Sequence, residues 1–142
     1  AGADLAIGSR ALGRVERGAM TWPQIAGNVL ITRLIRWLWR APLTDLGPYR
    51  AIRHDALQRL RMSDRAYGWT VEMQVKAFQH KLRVVEVPVD VRVRLGHSKV
   101  SGTLRGVFGA GHGMLRMLWR LWRAQRRSGG VRHARTEMRD VQ

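Results

Sequence analysis

The chain has 142 residues and is 45% hydrophobic, which supports one domain with a real core and argues against disorder. Its formal net charge is +16, from 26 Lys and Arg against 10 Asp and Glu, and only Lys76, Lys81 and Lys99 are lysines. Such an excess points to nucleic acid, an acidic membrane surface or phosphorylated ligands, unless it is compositional drift toward Arg, and the absence of Cys excludes a disulfide framework and a thiolate zinc site.

Residues 1–10 have neither a basic start nor a long apolar run, so no secretory leader is expected. The chain opens without Met, in strand-like sequence, and is expected to be a piece of a longer protein. It has no run of about 18 uncharged apolar residues, so no transmembrane helix is expected.

Asp4-Leu5-Ala6-Ile7-Gly8 predicts a short buried strand, with Ser9 and Arg10 projecting from its end. Open α/β sheets bind ligands beyond the carboxyl ends of strands. Arg10 is therefore a candidate anion contact, with a capping or salt-bridging role as the alternative. Residues 12–21 predict a polar loop. Thr21 then caps a helix with Pro23 in its first turn, about four to five turns long. Its expected apolar stripe is Trp22, Ile25, Ala26, Val29, Leu30, Leu34, Trp37 and Leu38, with Arg33, Arg36 and Arg40 on another side. The expectation is a core-facing stripe; a membrane-interfacial one is the alternative.

Thr44 to Arg53 connects two helical patterns. Asp45, Tyr49, Arg50 and Arg53 crowd around a turn marked by Gly47-Pro48. Loops held by helices often carry binding and catalytic groups, although an ordinary surface turn accounts for the same residues. His54 to Leu60 predicts a short helix and Trp69 to His80 a second, with Glu72 in its first turn, where the helix dipole alone explains an acid. From Leu82 to Val93 the pattern becomes alternating and β-branched, predicting a strand and, past Pro88, an edge strand.

Arg92, Arg94, His97, Ser98 and Lys99 gather near Gly96 in a flexible cationic loop. Its donors can close over a phosphate; a solvated basic turn is the alternative. From Met114 the spacing is helical, with Trp, Leu and Arg interleaved, which fits an interfacial helix on anionic lipid or a helix for self-association. Residues 128–142 are Gly- and Arg-rich without periodicity and are expected to form a disordered tail.

Several chemistries do not fit. No phosphate-binding Gly loop or dinucleotide fingerprint is present. The five His residues have no paired spacing, so no metal site is expected within this chain. No Ser sits in a nucleophile elbow, and no helix-turn-helix or zinc-finger signature explains the charge.

Four stretches, in order, carry a resemblance: Asp4–Arg10 (DLAIGSR), Thr44–Arg53 (TDLGPYRAIR), Tyr67–Ala77 (YGWTVEMQVKA) and Val84–Lys99 (VVEVPVDVRVRLGHSK). Together they resemble family 2 glycosyltransferases of the dolichol-phosphate or polyprenyl-phosphate mannose and glucose synthase type. The resemblance implies an α/β fold, the C-terminal part of a GT-A (Rossmann-like) domain with an amphipathic C-terminal helix. Residues 1–102 would be the acceptor side and closing loop, 103–127 the helix and 128–142 the tail. It implies inverting transfer of a hexose from a nucleotide sugar to a lipid phosphate, helped by Mg²⁺ or Mn²⁺ whose ligands are expected mainly upstream. On that view these 142 residues alone are inactive.

Carried over by motif, Arg10 would contact the acceptor phosphate, and Arg94, His97, Ser98 and Lys99 would form the closing loop. Asp45 and Glu72 match the family's acids near the sugar, and Tyr49 and Arg50 its aromatic–Arg pair. Asn28 is recognisable, but Met20 and Gln24 stand where related synthases carry an Arg and a Ser; Arg17 is the candidate that compensates. The implied setting is peripheral, on the cytoplasmic face of an anionic membrane, with no specific nucleic acid. A basic nucleic-acid-binding module and a non-catalytic membrane-surface module are the competing readings.

Overall fold

A computed structural model describes residues 2–93, 95 and 104–137, with backbone only at 104, 105, 107 and 128–137. The elements are β1 (Leu5–Ser9), α1 (Trp22–Trp39), β2 (Arg50–Ile52), α2 (His54–Leu60), α3 (Trp69–Gln79), β3 (Val84–Pro88) and α4 (Leu104–Glu137). The result is a mixed α/β arrangement around a small sheet.

The sheet runs β2-β1-β3, with β1 central, antiparallel to β2 and parallel to β3. Alternation along β1 sends Leu5 and Ile7 to one face, where both are fully buried. Ile31 and Ile35 of α1, Val71 and Val75 of α3, and Met117, Leu118 and Leu121 of α4 complete that core. Each fully buried Leu or Ile side chain contributes about 1.5–3 kcal/mol. On the other face Ala6 pairs with Ala51 and Val85 in register, and Ala51, Val85 and Val87 are exposed.

Local chemistry sets the helix limits. The Thr21 N–H donates to Gln24 Oε1 at 2.8 Å, and Pro23 occupies the first turn of α1. Arg40 closes α1 in the left-handed region, with φ of 52°. Gly113 lets α4 lie against Tyr67: a Cβ there would sit 3.2 Å from Tyr67 Cβ.

Four expectations change. The buried residues of α1 are Ile31, Thr32 and Ile35, whereas Trp22, Ile25, Val29, Leu30 and Trp37 are exposed. Ile31 and Ile35 lie on the opposite side of the helix, so most of the expected core stripe faces outward, while Leu34 packs against the core. Arg50–Ile52 is a strand and not part of a loop. Past Pro88 no second strand follows among the described residues: the Val89 N–H donates to the Ser9 carbonyl and Val91 pairs with Val15 in an isolated bridge, and proline lacks a donor to carry the ladder on. Finally, α4 starts at Leu104, as the expected 103–127 helix does, but continues past 127 to Glu137.

Candidate functional site

The site assembles where β1 ends. Ser9 is buried there, and Arg10 turns back to Asp45. Arg10 Nε donates to Asp45 Oδ2 at 2.8 Å, and Arg10 Nη2 to Oδ1 at 2.7 Å. The Arg10 backbone N–H also donates to Oδ2, at 2.8 Å. This is the planar, two-pronged pairing that fixes a guanidinium in orientation as well as position.

Asp45 is 0% exposed, while the Arg10 side chain is 19% exposed. Burial pushes the Asp45 carboxyl upward, but the hydrogen bonds and charge of Arg10, with the Gly47 amide, outweigh it and hold Asp45 below the usual range. Asp45 takes two of the three guanidinium nitrogens; Nη1 is not used in that pair.

Four elements clamp the loop that carries Asp45. Ser9 Oγ and Thr44 Oγ1 share a hydrogen bond of 2.8 Å. Glu86 of β3 accepts from the Thr44 hydroxyl at 2.9 Å, the Thr44 N–H at 3.0 Å and the Asp45 N–H at 3.2 Å. Asn28 Oδ1 of α1 accepts from the Leu46 N–H at 2.9 Å. Gln74 of α3, fully buried, donates to the Leu46 carbonyl at 2.8 Å. The loop then turns at Gly47, with φ of 45°, and a Cβ there would lie 2.6 Å from the Gly8 carbonyl oxygen. Only glycine permits that approach.

Arg50 lies half-buried with its guanidinium 5.2 Å from the Trp69 ring centroid. Its Nη1 is buried without a hydrogen-bond partner, and burial lowers its pKa from the ordinary value. Tyr49 is 66% exposed beside it in sequence. Arg17 is exposed in the loop after β1. That loop is stitched to the segment beyond β3: Arg14 N–H donates to Asp90, Val91 N–H to the Arg14 carbonyl, and Val93 N–H to Glu16. Arg17 follows Glu16 in sequence, and it is Glu16 that holds this segment. Arg94, His97, Ser98 and Lys99 themselves lie outside the described residues.

Glu72 is 1% exposed and accepts from the Ser63 hydroxyl at 2.6 Å, the Asp64 N–H at 2.8 Å and Lys76 Nζ at 2.7 Å. Burial raises its pKa, but Lys76, Ser63 and the Asp64 amide dominate and bring it to about 2. Its described hydrogen bonds do not reach Arg10 or Asp45. Both acids expected near the sugar therefore hold protein groups: Asp45 positions Arg10, and Glu72 ties residues 63–64 to α3.

A hard divalent cation needs several oxygens free to coordinate it. The Asp45 and Glu72 oxygens are engaged by cations and amides, and no group of three His, Asp or Glu is clustered for a metal among the described residues. These acids do not fit Mg²⁺ or Mn²⁺.

Sequence reasoning from the residues alone missed Thr44, Glu86 and Gln74. The Glu–Val alternation that predicts β3 also places Glu86 on the Ile7 side, which was the available signal for Glu86.

Relatives carry the same assignment. The chain is 41% identical over 108 residues to an uncharacterized glycosyltransferase of Mycobacterium bovis, covering 74% of this chain and 48% of that protein. It is 38% identical over 116 residues to an undecaprenyl-phosphate mannosyltransferase of Micrococcus luteus, covering 73% and 45%. It is 32% identical over 108 residues to a polyprenol monophosphomannose synthase of Mycolicibacterium smegmatis, covering 72% and 41%. No protein-family model and no solved structure matches the chain.

The chain is homologous to glycosyltransferases. More particularly, it belongs to the family 2 enzymes of polyprenyl-phosphate mannose synthase type and corresponds to the C-terminal part of their chains. It spans about half the length of the curated relatives it matches.

Proposed function

We propose that the protein transfers a hexose from a nucleoside-diphosphate sugar to a polyprenyl-phosphate-type lipid, with inversion, in a GT-A domain. The observation that carries this reading is the buried Asp45 holding Arg10 at the C-terminal end of β1. A phosphate monoester has a second pKa of about 6 and is largely ionised near neutrality, so it needs little help from a general base. Its oxygen attacks the anomeric carbon, the bond to the nucleoside diphosphate breaks, and the diphosphate leaves with the electron pair. The protein's contribution is placement and charge stabilisation.

Arg10 Nη1 faces the acceptor phosphate in this reading, and Asp45 is its positioning residue. Arg17, Tyr49 and Arg50 line the approach. Arg94, His97, Ser98 and Lys99 close over the phosphates. Mg²⁺ or Mn²⁺ remains part of the proposal, held by groups other than the described acids; when bound it would neutralise the leaving diphosphate.

The reading includes peripheral attachment at the cytoplasmic face. Supporting it, Arg123 lies 4.9 Å from the Trp119 ring centroid and Arg126 lies 4.1 Å from that of Trp122 on α4. Among the described residues, no helix is long and apolar enough to cross a membrane.

The test is incubation of the full-length protein with labelled nucleoside-diphosphate hexoses and polyprenyl phosphate. Label should enter the lipid fraction as a glycosyl phosphate. No lipid product with any donor overturns the reading.

A further inference from the structure

Helix α1 displays apolar side chains that it does not bury. Trp22 is 80% exposed, Trp37 77%, Leu30 51%, Ile25 42% and Val29 39%. At about 100° per residue these five fall in one sector of the helix, opposite Ile31 and Ile35. Arg33, Arg36 and Arg40, expected on another side of the helix, lie instead in this same sector toward its C-terminal end, and all three are exposed. No Asp or Glu occurs between Glu16 and Asp45, so the face carries charge of one sign.

A second copy of this face would bring like charges together. A purely acidic protein surface would match the guanidiniums but leave two tryptophans and three aliphatic side chains unburied. An anionic bilayer surface matches both, since the apolar groups enter the headgroup–acyl boundary while the arginines pair with lipid phosphates. We propose that the exposed face of α1 docks on an anionic lipid surface.

Asn28, on the flank of that helix, holds the Leu46 N–H of the loop carrying Asp45. Docking through α1 therefore keeps that loop about one helix diameter, about 10 Å, from the headgroups. This consequence for catalysis rests on the lipid-phosphate reading above; the docking itself does not.

The experiment uses the full-length protein with phosphatidylcholine vesicles, with and without phosphatidylglycerol. The protein should float with the mixed vesicles and be released by salt. The double variant Arg33→Gln/Arg36→Gln should bind them about 30-fold more weakly, at about 5-fold for each guanidinium, with an unchanged circular dichroism spectrum. Trp22→Ser/Trp37→Ser should weaken binding as well. Parent-like binding by both variants, or a parent that floats with neither vesicle because protein covers the face, overturns the proposal.

Sugar transfer separates this surface from the site. The α1 variants should keep transfer to a short-chain, water-soluble polyprenyl phosphate and lose it to the long-chain acceptor in vesicles. Equal loss on both acceptors contradicts docking. A parent that floats but transfers to neither overturns the site reading and leaves the docking intact.

Discussion

Arg10 and Asp45, 35 positions apart, meet through parallel contacts of 2.8 and 2.7 Å, with the acid fully buried and the base at the surface. The pair fixes a guanidinium at the mouth of the sheet without a bound ligand. An Arg held this way loses little further side-chain freedom when an anion arrives, so more of the contact energy appears as binding.

Removing the cation alone is therefore costly. Arg10→Ala leaves a buried carboxylate uncompensated and should destabilise the fold by about 3–5 kcal/mol. The double variant Arg10→Ala/Asp45→Leu should recover part of that loss. Urea denaturation of both single variants and the double gives the coupling energy, and additive effects would deny the pair a stabilising role.

Acid should loosen the fold. Asp45 and Glu72 both titrate below their ordinary values when folded. The stability they supply is whole above the unfolded value of 4.5 for Glu72 and is lost as pH falls toward its folded value of about 2. For Glu72 the loss is about 3 kcal/mol. Glu72→Gln should flatten the pH dependence of the melting temperature in that window; an unchanged profile would count against the assigned contacts.

Gly47 should not tolerate a side chain. Its φ is 45°, and an added Cβ would also lie 2.6 Å from Ile7 Cγ2. Gly47→Ala should cost about 1–3 kcal/mol and move the Asp45 loop away from β1. Thermal melts read the cost, and amide exchange at Gly8 and Asp45 reads the movement.

Much of the fold was legible in the sequence. Leu5 and Ile7 alternate as a buried strand should, and Trp69 begins α3 where expected. The three-residue β2 was not legible, because Arg50–Ile52 is too short to show a period and depends on pairing with β1. The inward face of α1 was misread because hydrophobicity alone does not say which side meets a neighbour: Thr32 is buried and Trp22 is not. At the site, Arg10 and Asp45 were recognisable by motif, but the role of Asp45 was not. That role depends on Glu86 and Gln74, which reach the loop from 42 and 28 positions away. Such partners are set by tertiary packing and leave no local pattern.

Glu86 offers a test of the clamp. It receives both amides and the hydroxyl of Thr44–Asp45. Glu86→Ala strands those donors, at about 1–3 kcal/mol for each one left buried and unpaired. Hydrogen exchange at Thr44 and Asp45 should accelerate well before global unfolding, and unchanged protection would remove Glu86 from the clamp.

The central claim is that Arg10, oriented by Asp45, grips the acceptor phosphate. Arg10→Lys keeps the charge but cannot hold Asp45 with one edge and a phosphate with another. In the full-length protein, transfer of labelled hexose to polyprenyl phosphate should fall about 100-fold in kcat/KM for the acceptor, with the circular dichroism spectrum preserved. Transfer at the parent rate by the Lys variant would contradict the account.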